Sequence, residues 1–302
     1  MLVDMPGRVY NLSDYDNIDN ILLDNEVLSK INLLKDLFSK VQVNDNYKKK
    51  RHYNQKKYEI DPNFKATVLK KREGHEKIWA GIKSLLNKLT DTNFKSLEPE
   101  LFVKLNEIIN EYDEDIIEKT KKILINDMVW NPGQSKCLST LFTNILTNEK
   151  YKKVFGNTLD TLIKDYDDII TNISYKEISS EDYDAFCELN RINNLRRSMG
   201  MFIINIMKNK LIEKDYILNI IKYFQDMLFK SLLEEGKKVL VDEITENLYI
   251  LLVNGKMELS EHKDWNNIIN RVTEITKKIV KDNPSFTSRS KFKHMDILDS
   301  LK

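Results

Sequence analysis

Apolar residues recur every three or four positions over most of the chain, and no stretch alternates as a half-buried strand would. Val27, Ile31, Leu34, Leu37, Phe38 and Val41 form one stripe, predicting an amphipathic helix from Glu26 to Val41 whose apolar face needs a partner. Ile78, Ile82, Leu85, Leu86 and Leu89 form a second stripe, with Lys83, Asn87 and Lys88 turned to water. Thr90, Asp91 and Thr92 follow, and their short oxygen-bearing side chains suit the first amides of another helix. The stretch predicts a helix, a tight capped turn and a second helix.

The same pattern continues downstream. Leu101, Val103, Leu105, Ile108 and Ile109 predict a helix with Pro99 in its first turn, where the missing amide costs nothing. Ile116, Ile117, Ile123, Leu124 and Met128 predict the next, ended by Asn131-Pro132-Gly133. Helices follow over Cys137–Leu146 and Phe155–Ile173, with a turn at Lys150–Lys153 and a polar connection over 174–184. A helix from Tyr183 has a candidate break at Asn193-Asn194, and Leu195–Ile212 carries the next apolar stripe. Tyr216–Leu233, Val239–Val253 and Trp265–Val280 are three more, with Asn254-Gly255 predicted as a turn between the last two. About ten antiparallel helices joined by short turns predict an all-α chain, a HEAT-type α-solenoid of stacked helical hairpins. Patterning alone leaves a plain helical bundle open. Residues 1–72 read as an N-terminal extension, with the amphipathic helix and then a basic linker, and 73–302 as the repeat domain.

Charge changes the picture only locally, because 48 Lys and Arg nearly balance 47 Asp and Glu. Lys48, Lys49, Lys50, Arg51, Lys56, Lys57, Lys65, Lys70, Lys71 and Arg72 are opposed only by Glu59 and Asp61, and Tyr47, Tyr53, Tyr58 and Phe64 lie among them. Cations displace counterions from phosphates and rings stack on unpaired bases, so this stretch suits single-stranded RNA. A solvated linker is the alternative. Arg289, Lys291 and Lys293 form a second basic group near the C-terminus. No apolar run approaches the roughly 20 residues that span a bilayer, and the acidic N-terminus is no signal peptide. Cys137 and Cys187 read as two reduced, buried thiols, as expected of a cytosolic or nuclear protein.

Catalytic constellations are missing from the sequence. Gly255-Lys256 lacks the upstream glycine of a phosphate-binding loop, since Ile250 stands there. His52, His75, His262 and His294 have no Cys or Glu at metal-ligand spacing, and no Gly-x-Ser-x-Gly elbow occurs. The acidic runs Tyr112-Asp113-Glu114-Asp115 and Asp165–Asp168 read as solvated helix faces. No cofactor or metal is expected, and the chain reads as a non-enzyme.

Three separated stretches carry a resemblance. Leu85-Leu86-Asn87-Lys88-Leu89-Thr90 with Phe94 resembles the opening hairpin of the middle domain of eukaryotic translation initiation factor 4 gamma. Arg196-Arg197-Ser198-Met199-Gly200 with Phe202 and Ile203, then Lys208 to Ile212, resembles that family's arginine-rich helix and its short basic turn. Thr287-Ser288-Arg289 through Met295-Asp296-Ile297-Leu298-Asp299-Ser300-Leu301 is similar to the family's closing helix. The three keep the family's order and span the whole helical region. The family's tryptophan-containing segment before the first helix is not evident here, and Trp79 aligns inside that helix.

The resemblance implies a non-catalytic, cytoplasmic scaffold for translation initiation. Such a scaffold binds a DEAD-box RNA helicase of the initiation type, stimulates it by favouring its half-open arrangement, and contacts messenger RNA. The same domain type in splicing or messenger-RNA decay is the alternative it implies. Phe155 occupies the place of a family phenylalanine associated with helicase contact, and Met257 and Leu259 lie where the family has a second. Trp130, beside Asn131-Pro132, is a further candidate because it is an aromatic residue in a turn. Cap-binding-protein ligands in the family carry a tyrosine, four variable residues, a leucine and a hydrophobic residue. Counting from Tyr58, the leucine position is Asn63, so only a variant site for a cap-binding protein in the extension stays open.

Overall fold

In the computed structural model, residues 24–40, 72–173 and 182–302 are described, and every regular element among them is helical. Residues 1–69 and 70–302 form two separate units. In the first, α1 (Asn25–Lys40) carries Glu26 in its first turn, where Lys30 pairs with it one turn on at 2.7 Å. Val27, Leu28, Leu33 and Leu34 of α1 are exposed.

The second unit holds α2 (Gly74–Lys88), α3 (Phe94–Glu111), α4 (Glu114–Val129), α5 (Ser135–Thr147), α6 (Glu149–Phe155), α7 (Thr158–Thr171), α8 (Tyr183–Lys208), α9 (Lys214–Leu232), α10 (Lys238–Leu259), α11 (Trp265–Lys277) and α12 (Ser288–Leu301). The opening stripe behaves as its spacing predicts: Ile78, Ile82, Leu86 and Leu89 are buried. The turn after it is held by Asn93. Its amide donates to the Lys88 carbonyl at 2.7 Å and its Oδ1 accepts from the Thr90 amide at 2.7 Å. One side chain thus closes both the end of α2 and the turn into α3.

Several expected boundaries move. Helix α3 begins at Phe94, so Pro99 lies inside it and withholds the bond to the Lys95 carbonyl. Burial of Phe94 and Leu97 against the core favours the earlier start, whereas Val103 faces solvent. The Lys150–Lys153 turn is instead part of α6, capped by Asn148. The expected Phe155–Ile173 helix starts only at Thr158, since Phe155 and the Gly156 amide, which donates to the Lys152 carbonyl at 2.9 Å, belong to the end of α6. Asn193-Asn194 does not break α8, and Asn193 is buried within it. Asn254-Gly255 is no turn: both residues lie inside α10. Gly255 sits where α10 crosses α8, and a Cβ there would stand 2.7 Å from Leu259 Cδ1 and 3.3 Å from Ile204 Cδ1. Glycine serves close helix approach here, not chain reversal.

The helices stack as successive hairpins, α2/α3, α4/α5, α7/α8, α9/α10 and α11/α12, with α6 between the second and third. First members adjoin first members, α2 on α4, α4 on α7 and α9 on α11, while α5, α8, α10 and α12 adjoin in a second row. Polar bonds bridge the looser junctions: Asn144 of α5 donates to Glu98 of α3 at 2.6 Å, and Tyr216 of α9 donates to Asp167 of α7 at 2.9 Å. Between α5 and α8, Asn205 donates to Ser135 at 3.0 Å. A single apolar core runs through all five hairpins, and each buried Leu or Ile contributes about 1.5–3 kcal/mol.

Candidate protein-docking surface

Helix α8 is the piece around which the middle of this unit is fixed, touching α4, α5, α7, α9 and α10. Its Arg196 is fully buried, donating from Nε to the Ile169 carbonyl at 2.9 Å, and from Nη1 to Asn193 at 2.8 Å and to Glu243 Oε1 at 3.0 Å. Arg197 also pairs with Glu243, and Asn247 donates to it at 2.9 Å. Burial lowers the Arg196 guanidinium's affinity for its proton, and the Glu243 carboxylate opposes that shift. Tyr166, enclosed beside it with no partner for its hydroxyl among the described residues, is pushed up by burial. This network ties α7, α8 and α10 together and sets the Ile169–Leu195 line where α7 meets α8.

On that line lies a groove of about 370 Å³ bounded by α4, α7 and α8. Ile125, Val129 and Met199 form its buried floor, and Ile169 and Leu195 its half-buried walls. Asn126, Asp165 and Asp168 stand exposed at the rim. Trp130, next to floor residue Val129, is 39% exposed, and the Arg191 guanidinium lies 6.0 Å from its ring centre. Glu188 grips Arg191 with two bonds of 2.7 Å.

The other residues expected to contact a helicase separate by burial. Phe155 is 1% exposed and Leu259 fully buried, so both are core residues and neither offers a surface. The sequence places them just after turns at Lys150–Lys153 and Asn254-Gly255, but both stretches are helical and these two side chains lie on the buried faces of α6 and α10. Met257, by contrast, is 79% exposed in the last turn of α10. It does not join Trp130. Helices α8 and α10 run in the same direction, since Arg196 meets Glu243 and Ile204 meets Gly255. Met257 therefore flanks the C-terminal end of α8, whereas Trp130 lies by Arg191, about 20 Å away along the helix at roughly 1.5 Å per residue.

Of the residues expected to bind RNA, Lys48, Lys49, Lys50, Arg51, Lys56, Lys57, Lys70 and Lys71 lie outside the described residues. Arg72 is exposed at the mouth of a second groove with Glu76, Trp79, Ala80, Lys83 and Ile123. Trp79 is fixed there by a 2.8 Å bond from its indole to Thr120. The three cations of α12 have partners within the fold. Arg289 and Lys293 converge on Glu246 of α10 at 2.9 and 3.5 Å, and Lys293 also lies 4.3 Å from the Tyr249 ring centre. Lys291 donates to the Lys278 carbonyl at 3.0 Å. They fasten α12 to its neighbours first. Cys137 is buried as expected, whereas Cys187 is exposed near the start of α8.

Sequence reasoning missed the α4/α7/α8 groove. It read Asp165–Asp168 as a solvated face, and nothing in the local pattern pairs those residues with Val129 or Met199. Among the described residues no group of His, Cys, Asp or Glu is placed to hold a metal ion, and no helix is long and apolar enough to cross a membrane. No protein-family model matches the chain, and no curated protein matches it.

Proposed function

We propose that residues 73–302 form a HEAT-type α-solenoid acting as a non-catalytic scaffold, which binds and stimulates a DEAD-box RNA helicase and contacts messenger RNA. The observation that carries this reading is the row-on-row stacking of five hairpins, since such arrays use their exposed turns and helix ends as extended binding surfaces. The three stretches resembling the initiation factor fall at positions with structural work to do. The first ends α2, the second supplies the buried Arg196 of α8, and the third opens α12 with Thr287 accepting from the Ser290 amide at 3.0 Å. A scaffold that prefers one arrangement of two helicase lobes speeds the ATP cycle by shifting populations, without chemistry of its own.

Met257 and Trp130 are the exposed helicase candidates. The decisive measurement is binding of the full chain to an initiation-type helicase from the same cell, with the helicase's ATPase followed in parallel. Met257→Asp or Trp130→Ala should weaken binding about tenfold or more if either anchors the contact. A wild-type chain that neither binds the helicase nor changes its ATPase refutes the helicase reading. Recovery of splicing or decay factors instead would favour the adaptor alternative.

A further inference from the structure

The α4/α7/α8 groove has the chemistry of a receptor for a basic, amphipathic protein segment, and we infer that it docks one. The ligand places a single large aliphatic or aromatic side chain on the floor made by Ile125, Val129 and Met199. It sets lysine or arginine against Asp165 and Asp168. The reading goes beyond the helicase proposal and does not depend on it.

Three observations converge. The groove volume, about 370 Å³, suits one or two side chains, as an anchor pocket requires. Its floor is apolar, yet it opens to solvent through a rim with two carboxylates. Those carboxylates, three residues apart on α7 and so on one face of it, have no ion pair or hydrogen bond to any described residue. Their neighbours differ: Asp167 accepts from Tyr216, and Asp127 on α4 pairs with Lys83 at 3.5 Å. Charge left unpaired at the rim of an apolar groove selects cationic ligands and repels nucleic acid, whose phosphates would face Asp165 and Asp168.

The groove is also built to hold its shape. Arg196 bonds the carbonyl of wall residue Ile169 and is itself locked by Glu243, so the α7 and α8 walls keep their spacing before a ligand arrives.

The test uses the full chain and fluorescein-labelled helical peptides in which Leu alternates with Lys at helical spacing. Control peptides replace every Lys by Glu, or every Leu by Ser. Fluorescence anisotropy should show binding of the Leu/Lys peptide and at least tenfold weaker binding of both controls. Asp165→Lys/Asp168→Lys should lose the Leu/Lys peptide at least tenfold and gain the Leu/Glu peptide. Asn126→Trp, an exposed position whose larger side chain fills the mouth, should block both, and helicity by circular dichroism should stay unchanged in each variant. Equal binding of the Leu/Lys peptide to wild type and both variants overturns the site, as does no binding to wild type. Binding of a uridine-rich RNA oligonucleotide that Asn126→Trp abolishes overturns the ligand class. Helicase binding need not change in any of these variants, which separates this test from that of the scaffold reading.

Discussion

Arg196 of α8 and Glu243 of α10 form an ion pair at 3.0 Å with both side chains withdrawn from solvent. The pair is asymmetric, because Glu243 has a second cation in Arg197 while Arg196 has no second carboxylate among the described residues. Glu243→Leu should therefore cost about 3–5 kcal/mol, since it strands a buried guanidinium. Arg196→Met should cost less, and the double variant should recover part of the Glu243→Leu loss. Urea unfolding of the three variants checks the order, and equal losses in the two single variants would refute the asymmetry.

His294 of α12 sets an acid limit on stability. Its Nδ1 bonds the Ser290 carbonyl at 2.8 Å, its Nε2 has no partner among the described residues, and burial lowers its pKa from 6.5 to about 4. The unfolded chain takes up the proton first, so this contribution is complete above pH 6.5 and fades as pH falls toward 4. A shift of this size corresponds to roughly 3 kcal/mol. His294→Leu should unfold with a shallower pH dependence than wild type between those limits, the carboxylates being common to both. Parallel urea-midpoint curves would sink the assignment.

Phe155 belongs to stability, not to a docking surface. Truncation to alanine should cost about 3–5 kcal/mol in unfolding free energy, as for other fully enclosed phenylalanines. Met257→Ala, at an exposed site, should stay within about 0.5 kcal/mol of wild type. Thermal melts of the two variants distinguish core from surface directly.

Asn93 should matter more than the residues that the sequence suggested as caps. Asn93→Ala removes both bonds that close the α2–α3 turn and should cost about 1 kcal/mol. Asp91→Ala, which removes no hydrogen bond of this turn, should be near neutral. Hydrogen exchange of the Thr90 amide provides a local readout, with faster exchange expected in Asn93→Ala alone.

Most of the helices were legible because helical periodicity is local. A stripe such as Ile78, Ile82 and Leu86 needs only its own spacing to declare a buried face, and the same holds for Leu138, Leu141, Phe142 and Ile145 in α5. Boundaries failed where a residue answered to a distant neighbour. Gly255 resembles a turn residue until Ile204 of α8 is placed against it, and Asn193 resembles a break until the Arg196 guanidinium that bonds to it is itself held by Glu243 of α10.

What the chain determined by itself is therefore its helical character, its apolar stripes and the absence of strand alternation, all set by interactions within a few residues. Tertiary structure alone decided which apolar residues stay in water. Phe155 and Met257 look alike in sequence as hydrophobic residues near helix ends, yet one is enclosed and the other exposed. It also made the groove, whose floor joins α4 to α8 and whose acidic rim comes from α7. No local pattern encodes that junction, because its residues become neighbours only when the hairpins stack and exclude water between them.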